Sequence, residues 1–137
     1  MFSAISTISK LWAPRALSLL RIVSGFMFMA HGTSKFFGFP APFSGGTPAL
    51  TSMVGVSGAL ELVGGALLMV GLCTRPVAFV LSGLMAFAYF IAHAPGGFWP
   101  LVNKGELAAL YSFVFLYIAA AGGGPWSLDR AFGRSSN

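Results

Sequence analysis

The chain has 137 residues, enough for one domain, of which 56% are hydrophobic and only 8% are charged. A soluble domain carries about 25% charged residues, so this composition excludes an ordinary soluble protein and predicts a surface that faces lipid. The net charge of +5 comes from cations scattered singly along apolar runs, which excludes nucleic acid as a partner. The lone cysteine, Cys73, excludes an internal disulfide, CxxC redox chemistry and a cysteine-held iron–sulfur cluster.

Four apolar stretches are long enough to cross a bilayer, because about 20 residues of helix span the hydrocarbon core. Segments rich in proline and glycine separate them at residues 39–48, 73–76 and 94–100. The predicted helices cover residues 16–37, 50–72, 76–93 and 105–121. The sequence therefore predicts an all-α fold, in which residues 1–137 form a single domain that is a four-helix transmembrane bundle.

The positions of the cations predict the orientation of this bundle. The residues before helix one, between helices two and three, and after helix four carry Lys10, Arg15, Arg75, Arg130 and Arg134. The other two loops carry only Lys104. Because positive residues favour the cytoplasmic side, both termini are predicted to be cytoplasmic.

Ionisable side chains in the predicted helices are expected to face the bundle interior, since each costs roughly 3 kcal/mol near the bilayer centre. At about 100° per residue, Arg21, His31 and Lys35 share one side of helix one. In helix two, Glu61 shares a face with Gly58 and Gly65. Small residues mark close helix approach, so Glu61 is predicted to point inward.

Helices three and four each show a predicted polar stripe, Ser82, Ala86, Tyr89 and His93 in one and Glu106, Leu110, Phe113 and Tyr117 in the other. The helical rise predicts a buried layer of Arg21, Glu61 and Tyr117, with Arg21 long enough to reach Glu61. It also predicts a polar vestibule towards the outer face, with Lys35, His93, Lys104 and Glu106. No catalytic residue is assigned. The whole predicted intramembrane pocket comprises Arg21, His31, Lys35, Glu61, Tyr89, His93, Glu106 and Tyr117.

Plain structural interpretations of these residues stay open. Arg21 and Glu61 can form an ion pair that fixes helix register, and Lys35 and Lys104 can extend to the membrane interface. His31 and His93 can relay protons, bond a ligand carbonyl or hold a metal or haem. Two histidines alone are weak evidence for a metal, and the sequence has no metal or nucleotide motif.

Several motifs resemble the DoxX family of small four-helix membrane proteins. They are HGxxKxxG at residues 31–38, ELxGGxLL at 61–68, GLxTR at 71–75, Glu106, and GGGPWSLD at 122–129. The resemblance covers about residues 17–130 and implies the bacterial inner membrane. By matched position, its polar residues are Arg21, His31, Lys35, Glu61, Arg75 and Glu106, and no catalytic role comes with them.

The resemblance implies a redox setting. Some relatives are subunits of a thiosulfate:quinone oxidoreductase, others are membrane partners of a superoxide dismutase and a sulfurtransferase, and many have no known activity. The first hypothesis is a membrane redox component whose polar pocket takes a quinone, alongside other membrane or redox proteins. The second is a non-catalytic anchor for a partner enzyme. The third is a carrier of small solutes or protons, for which four unbroken helices leave little room.

Overall fold

The computed structural model describes residues 2–133, within which the regular elements are all helices and no β-strand occurs. Arg134, one of the predicted cytoplasmic cations, lies outside these described residues. The helices are α1 (Phe2–Phe37), α2 (Met53–Val70), α3 (Thr74–Ala88), α4 (Pro100–Asn103), α5 (Glu106–Ala121) and α6 (Leu128–Ala131). After α3 the chain continues through a π-helical turn and a 3-10 turn, Tyr89–His93 and Ala94–Gly96.

Three helical stretches are long and apolar enough to cross a membrane: Ser6–Phe37, Met53–Val70 and Thr74–Gly96. α5 is also apolar but has only 16 residues. Large apolar side chains of α1, α2, α3 and α5 are exposed on the outer surface, among them Val23, Val63, Phe79 and Phe113. An exterior of this kind meets acyl chains rather than water, so the chain is a membrane protein with several apolar helices.

The first helix is much longer than predicted, since it begins at Phe2 rather than near residue 16. Pro14 lies inside it, where the missing N–H removes one helical hydrogen bond. The residues before Pro14 mix serine, threonine and Lys10 with apolar residues. They resemble no spanning segment, which is why composition alone placed the start of the helix later. The other three predicted helices correspond to α2, to α3 with its π-helical turn, and to α5, whose bounds lie within a few residues of the predicted ones.

α1 and α2 form a close antiparallel pair through glycines. A Cβ atom on Gly25 would lie 2.8 Å from the Met69 nitrogen, and one on Gly65 would lie 2.6 Å from the α1 backbone. No larger residue fits at these distances, and close approach through small residues is typical of membrane helices. The predicted face of α2 with Gly58 and Glu61 is buried here, as expected.

α3 and α5 form the second antiparallel pair. The Ser82 hydroxyl donates to the Ser112 carbonyl at 2.7 Å, and the Ser112 hydroxyl donates to the Ser82 carbonyl at 3.1 Å. The two pairs enclose a core that consists of Phe28, Leu68, Ala78, Leu81, Met85, Tyr111, Phe115 and Ile118. α1 and α5 touch at few points, so a groove remains between the two pairs.

The predicted inward stripe of α5 is wrong. Leu110, Phe113 and Tyr117 are 62%, 71% and 56% exposed, and Glu106 is exposed as well. The buried face instead carries Ala108, Tyr111, Phe115 and Ile118. α5 is apolar on every side, so its periodicity selects no face. Its one charge lies at the helix N-terminus, where an acid is favoured by the helix dipole without an interior partner.

Candidate functional site

Arg21 is fully buried but does not contact Glu61, so the predicted ion pair is wrong. The guanidinium donates to main-chain carbonyl oxygens, those of Leu68, Met69 at 2.8 Å, Gly123 at 2.8 Å and Trp126 at 2.6 Å. Arg21 faces the C-terminal end of α2, about 12 Å along the helix from Glu61 at the usual rise per residue. A cation at a helix C-terminus is favourable, and here it ties α1, α2 and the 122–126 segment together.

Two further charges act at the same end of the bundle, which we term the basic end (the 71–75 turn and the 122–130 segment). The Asp129 carboxylate accepts the backbone N–H groups of Cys73 and Thr74, each at 2.8 Å, and so caps the start of α3. The Arg75 guanidinium donates to the carbonyls of Ala119, at 3.2 Å, and Ala120. These contacts join the ends of the helices, which is a structural role.

The partner of Glu61 is Lys35. The Lys35 ammonium lies 2.7 Å from both carboxylate oxygens of Glu61 and donates to the Ser57 hydroxyl at 3.0 Å. The two charged side chains are 12% and 7% exposed, so Lys35 does not extend to the interface. Removal of either member of such a buried pair would leave a charge without a partner.

An aromatic cluster lies next to this pair. Phe28 packs against Tyr111 and Phe115 with ring centroids 5.3 Å and 4.9 Å apart, and Tyr111 stacks on Phe115 at 5.3 Å. The His31 ring stands edge-on to Tyr111 at 6.5 Å, and it is close enough to Glu61 for their charges to interact. The His31 side chain is itself exposed, so its predicted orientation towards the bundle interior is wrong.

Tyr111 is the site residue that sequence reasoning missed. It is 6% exposed, and its hydroxyl is buried without a hydrogen-bond partner in the described part of the chain. A buried hydroxyl without a partner costs about 1–3 kcal/mol, so it is a position where a ligand atom is favoured. The spacing of Tyr111 from Ala108, Phe115 and Ile118 carries this signal, but the uniformly apolar sequence of α5 hides it.

The groove between α1 and α5 has a volume of about 170 Å³. Tyr111 and Ser24 form part of its wall, and aliphatic side chains form the rest: Leu20, Val23, Met27, Leu107, Leu110 and Val114. Several of these side chains are also exposed on the outer surface, including Val23 and Leu110. The groove therefore opens towards lipid, and an apolar molecule dissolved in the bilayer can reach the wall that Tyr111 forms.

The remaining predicted residues lie apart from the ion pair. The His93 Nδ1 atom lies 3.1 Å from the Asn103 carbonyl oxygen, and the Asn103 amide donates to the Tyr89 hydroxyl at 3.2 Å. Tyr89 and His93 thus close the 94–105 segment, at the end of the bundle opposite to the basic end. Glu106 is exposed. Among residues 2–133, no three His, Cys, Asp or Glu side chains are placed to hold a metal ion.

The family model of DoxX matches residues 16–94. The chain is 47% identical over 125 residues to an uncharacterized protein of Haemophilus influenzae, which covers 88% of this chain and 93% of that protein. It is 30% identical to an uncharacterized membrane protein of Mycobacterium tuberculosis (85% of this chain, 81% of that protein). It is also 30% identical to a Bacillus subtilis protein named "Putative oxidoreductase CatD" (81% and 82%). No solved structure matches.

Proposed function

Because the chain belongs to the DoxX family of membrane proteins, we propose that it is the membrane component of a redox system and binds a quinone in the groove between α1 and α5. The observation that carries this proposal is a groove open to lipid with Tyr111 in its wall, where the Tyr111 ring contacts His31 and the buried Lys35–Glu61 pair lies farther along the bundle. The oxidoreductase name of the Bacillus subtilis relative is consistent with it.

The residues around the groove fit a ring with carbonyl oxygens. The groove volume of about 170 Å³ suits a single ring head group, and an isoprenoid tail would remain in the lipid. The Tyr111 hydroxyl is buried behind the groove wall and has no partner among residues 2–133, so a bound ring would have to displace part of that wall to accept a hydrogen bond from it. His31 and Glu61 are the groups able to take up or release a proton, and Lys35 stabilises the carboxylate form of Glu61. The electrons exchanged with the quinone come from or go to a partner protein.

Quinone binding to the purified protein in nanodiscs tests the proposal, with two matched pairs of variants. Tyr111→Phe removes only an oxygen that has no partner in the structure, so the fold should be retained, and Tyr117→Phe is its exposed control on the same helix. Glu61→Gln is matched with the exposed Glu106→Gln. We expect Tyr111→Phe and Glu61→Gln to weaken binding about five- to tenfold, the value of one hydrogen bond.

The two controls are expected to bind within twofold of the original chain. Equal affinities in all four variants would remove the groove from the proposal, and a wild-type protein that binds no quinone would remove the quinone itself.

We further propose that α5 crosses the membrane too, which gives four crossings with both termini in the cytoplasm of a bacterial cell and the bundle in its inner membrane. At 16 residues, α5 is about 24 Å long, a few ångströms short of the hydrocarbon thickness, which local bilayer thinning accommodates. The reciprocal Ser82–Ser112 hydrogen bonds support this, because they hold α5 at the depth of the longer α3.

The exposed Cys73, the chain's single cysteine, tests this orientation. An impermeant thiol reagent is expected to label it in inverted membrane vesicles and not in intact spheroplasts. The control is Ser44→Cys in a Cys73→Ser background, which should label with the opposite pattern. Labelling of Cys73 from outside the cell would refute the orientation.

An anchor function is the second candidate, and the length of α1 favours it. Its 36 residues extend about 54 Å, well beyond a hydrocarbon core of about 30 Å, and Ile8 and Trp12 in its first part are exposed. A partner enzyme could be held there. Copurification of a soluble partner that is lost on deletion of residues 2–12, and kept in Glu61→Gln, would favour the anchor.

A further inference from the structure

A second cavity, of about 380 Å³, lies at the basic end and is separate from the groove beside Tyr111. It is enclosed by the first part of α1, the end of α5 and the 123–130 segment. Its polar lining consists of Arg75, Arg130 and Tyr117, and its apolar lining includes Pro14, Leu17 and Ala121. No acidic residue lies among the described residues that line it.

Several hydrogen-bond donors that line this cavity have no acceptor among the described residues. The Arg130 guanidinium and the Tyr117 hydroxyl make no hydrogen bond or ion pair there, and Arg75 uses only its Nη1 atom, for two carbonyls at the end of α5. Those two bonds fix the Arg75 guanidinium while its Nε and Nη2 atoms stay available. Asp129, the nearest acid along the chain, accepts two backbone N–H groups of the 73–74 turn.

From this arrangement, we propose that the basic-end cavity binds the phosphate head group of an anionic phospholipid. Arginine fits phosphate oxygens with two parallel hydrogen bonds, and two arginines with a phenol hydroxyl surround the space here. The apolar lining of Leu17 and Ala121 suits the glycerol and the first part of an acyl chain. Basic pockets between membrane helices at the membrane surface are typical sites for anionic head groups. The proposal does not rest on quinone binding.

Lipid titration of the delipidated protein, followed by native mass spectrometry, tests this site. Phosphatidylglycerol is expected to bind about tenfold more tightly than phosphatidylethanolamine, since two cations contribute. Arg130→Gln should weaken phosphatidylglycerol binding about fivefold, and Tyr117→Phe about threefold to fivefold. Both side chains are exposed, so neither change should disturb the fold, which circular dichroism can check. Lys104→Gln, at the opposite end, is the control and should bind as the original chain does.

Two results would overturn the proposal. One is phosphatidylglycerol affinity that is unchanged in both Arg130→Gln and Tyr117→Phe, or that equals the affinity for phosphatidylethanolamine. The other comes from a competition arm with inorganic phosphate. If phosphate at the lipid's own concentration displaces phosphatidylglycerol, the cavity takes a soluble phosphate compound and not a lipid. Displacement only at concentrations at least a hundredfold higher supports the lipid.

Discussion

Arg21→Gln is the substitution for which the structure makes the clearest quantitative prediction. The Arg21 side chain is fully buried and satisfies four carbonyl oxygens of α2 and the 122–126 segment. Glutamine has one amide group and can donate to two of them at most. At least two of these hydrogen bonds are therefore lost, and the contact that joins three parts of the chain is halved.

The expected loss of unfolding free energy is about 4 kcal/mol. A hydrogen bond to a charged group contributes about 1.5–3 kcal/mol, which for two gives roughly 3–6 kcal/mol. Arg21→Lys should lower the free energy of unfolding by about 2 kcal/mol, an effect smaller than that of Arg21→Gln, because a single ammonium cannot reproduce the planar guanidinium donors.

Unfolding by sodium dodecyl sulfate in mixed micelles, followed by circular dichroism, measures these differences. Arg15→Gln is the matched control on the same helix, since Arg15 makes one exposed bond to the Leu11 carbonyl and its loss should cost under about 0.5 kcal/mol. An Arg21→Gln protein within about 1 kcal/mol of the Arg15→Gln protein would refute the structural role of Arg21.

Three further predictions concern packing and charge, each measured by the same unfolding assay. Glu61→Gln and Lys35→Met should each lower the free energy of unfolding by about 3–5 kcal/mol. The double variant should lose much less than the sum of the two, because no unpaired charge remains. Strict additivity of the two losses would contradict the ion pair. Gly65→Leu should destabilise the protein by at least about 1–3 kcal/mol, since a Cβ atom at residue 65 would lie 2.6 Å from the α1 backbone. Gly83 has open space around it, so Gly83→Ala should stabilise α3 by about 0.5–1 kcal/mol. Similar effects at both glycines would be evidence against the close α1–α2 contact. Asp129→Ala should cost about 1–2 kcal/mol, as the loss of a helix cap does, and an unchanged midpoint would show that the Cys73 and Thr74 N–H groups have other partners.

The bounds of α2, α3 and α5 followed approximately from the sequence, because apolar length and Pro–Gly breaks are local properties, whereas the start of α1 did not. The buried face of α2 followed as well, since glycines flank Glu61 at helical spacing and only one face of that helix has them. α5 offers no such contrast. Its inward face was decided by contacts with Phe28 and α3, which are tertiary and leave no local trace.

The pairing of charges could not be predicted for a related reason. Sequence spacing placed Arg21 and Lys35 on one face of α1 and Glu61 on the inner face of α2. The common depth predicted for Arg21 and Glu61 was wrong, because depth depends on the register of α1 against α2. That register is set by the contacts of Gly25 and Gly65, which place Arg21 opposite Met69. The same register of α1 against α2 places Lys35 next to Glu61.

The positions of the acidic residues limit which carboxyl groups can take part in proton transfer within the bundle. The sequence contains three acidic residues, and two of them are accounted for elsewhere: Asp129 caps α3, and Glu106 is exposed at the start of α5. Glu61 is therefore the one carboxyl group available within the bundle. Any proton relay that uses a carboxylate must pass through Glu61, and Lys35 and His31 set the charge that it meets there. On the proposed redox role, Glu61→Gln keeps the size of the side chain but removes its charge and should abolish coupling to protons, with the contacts of Arg21 unchanged.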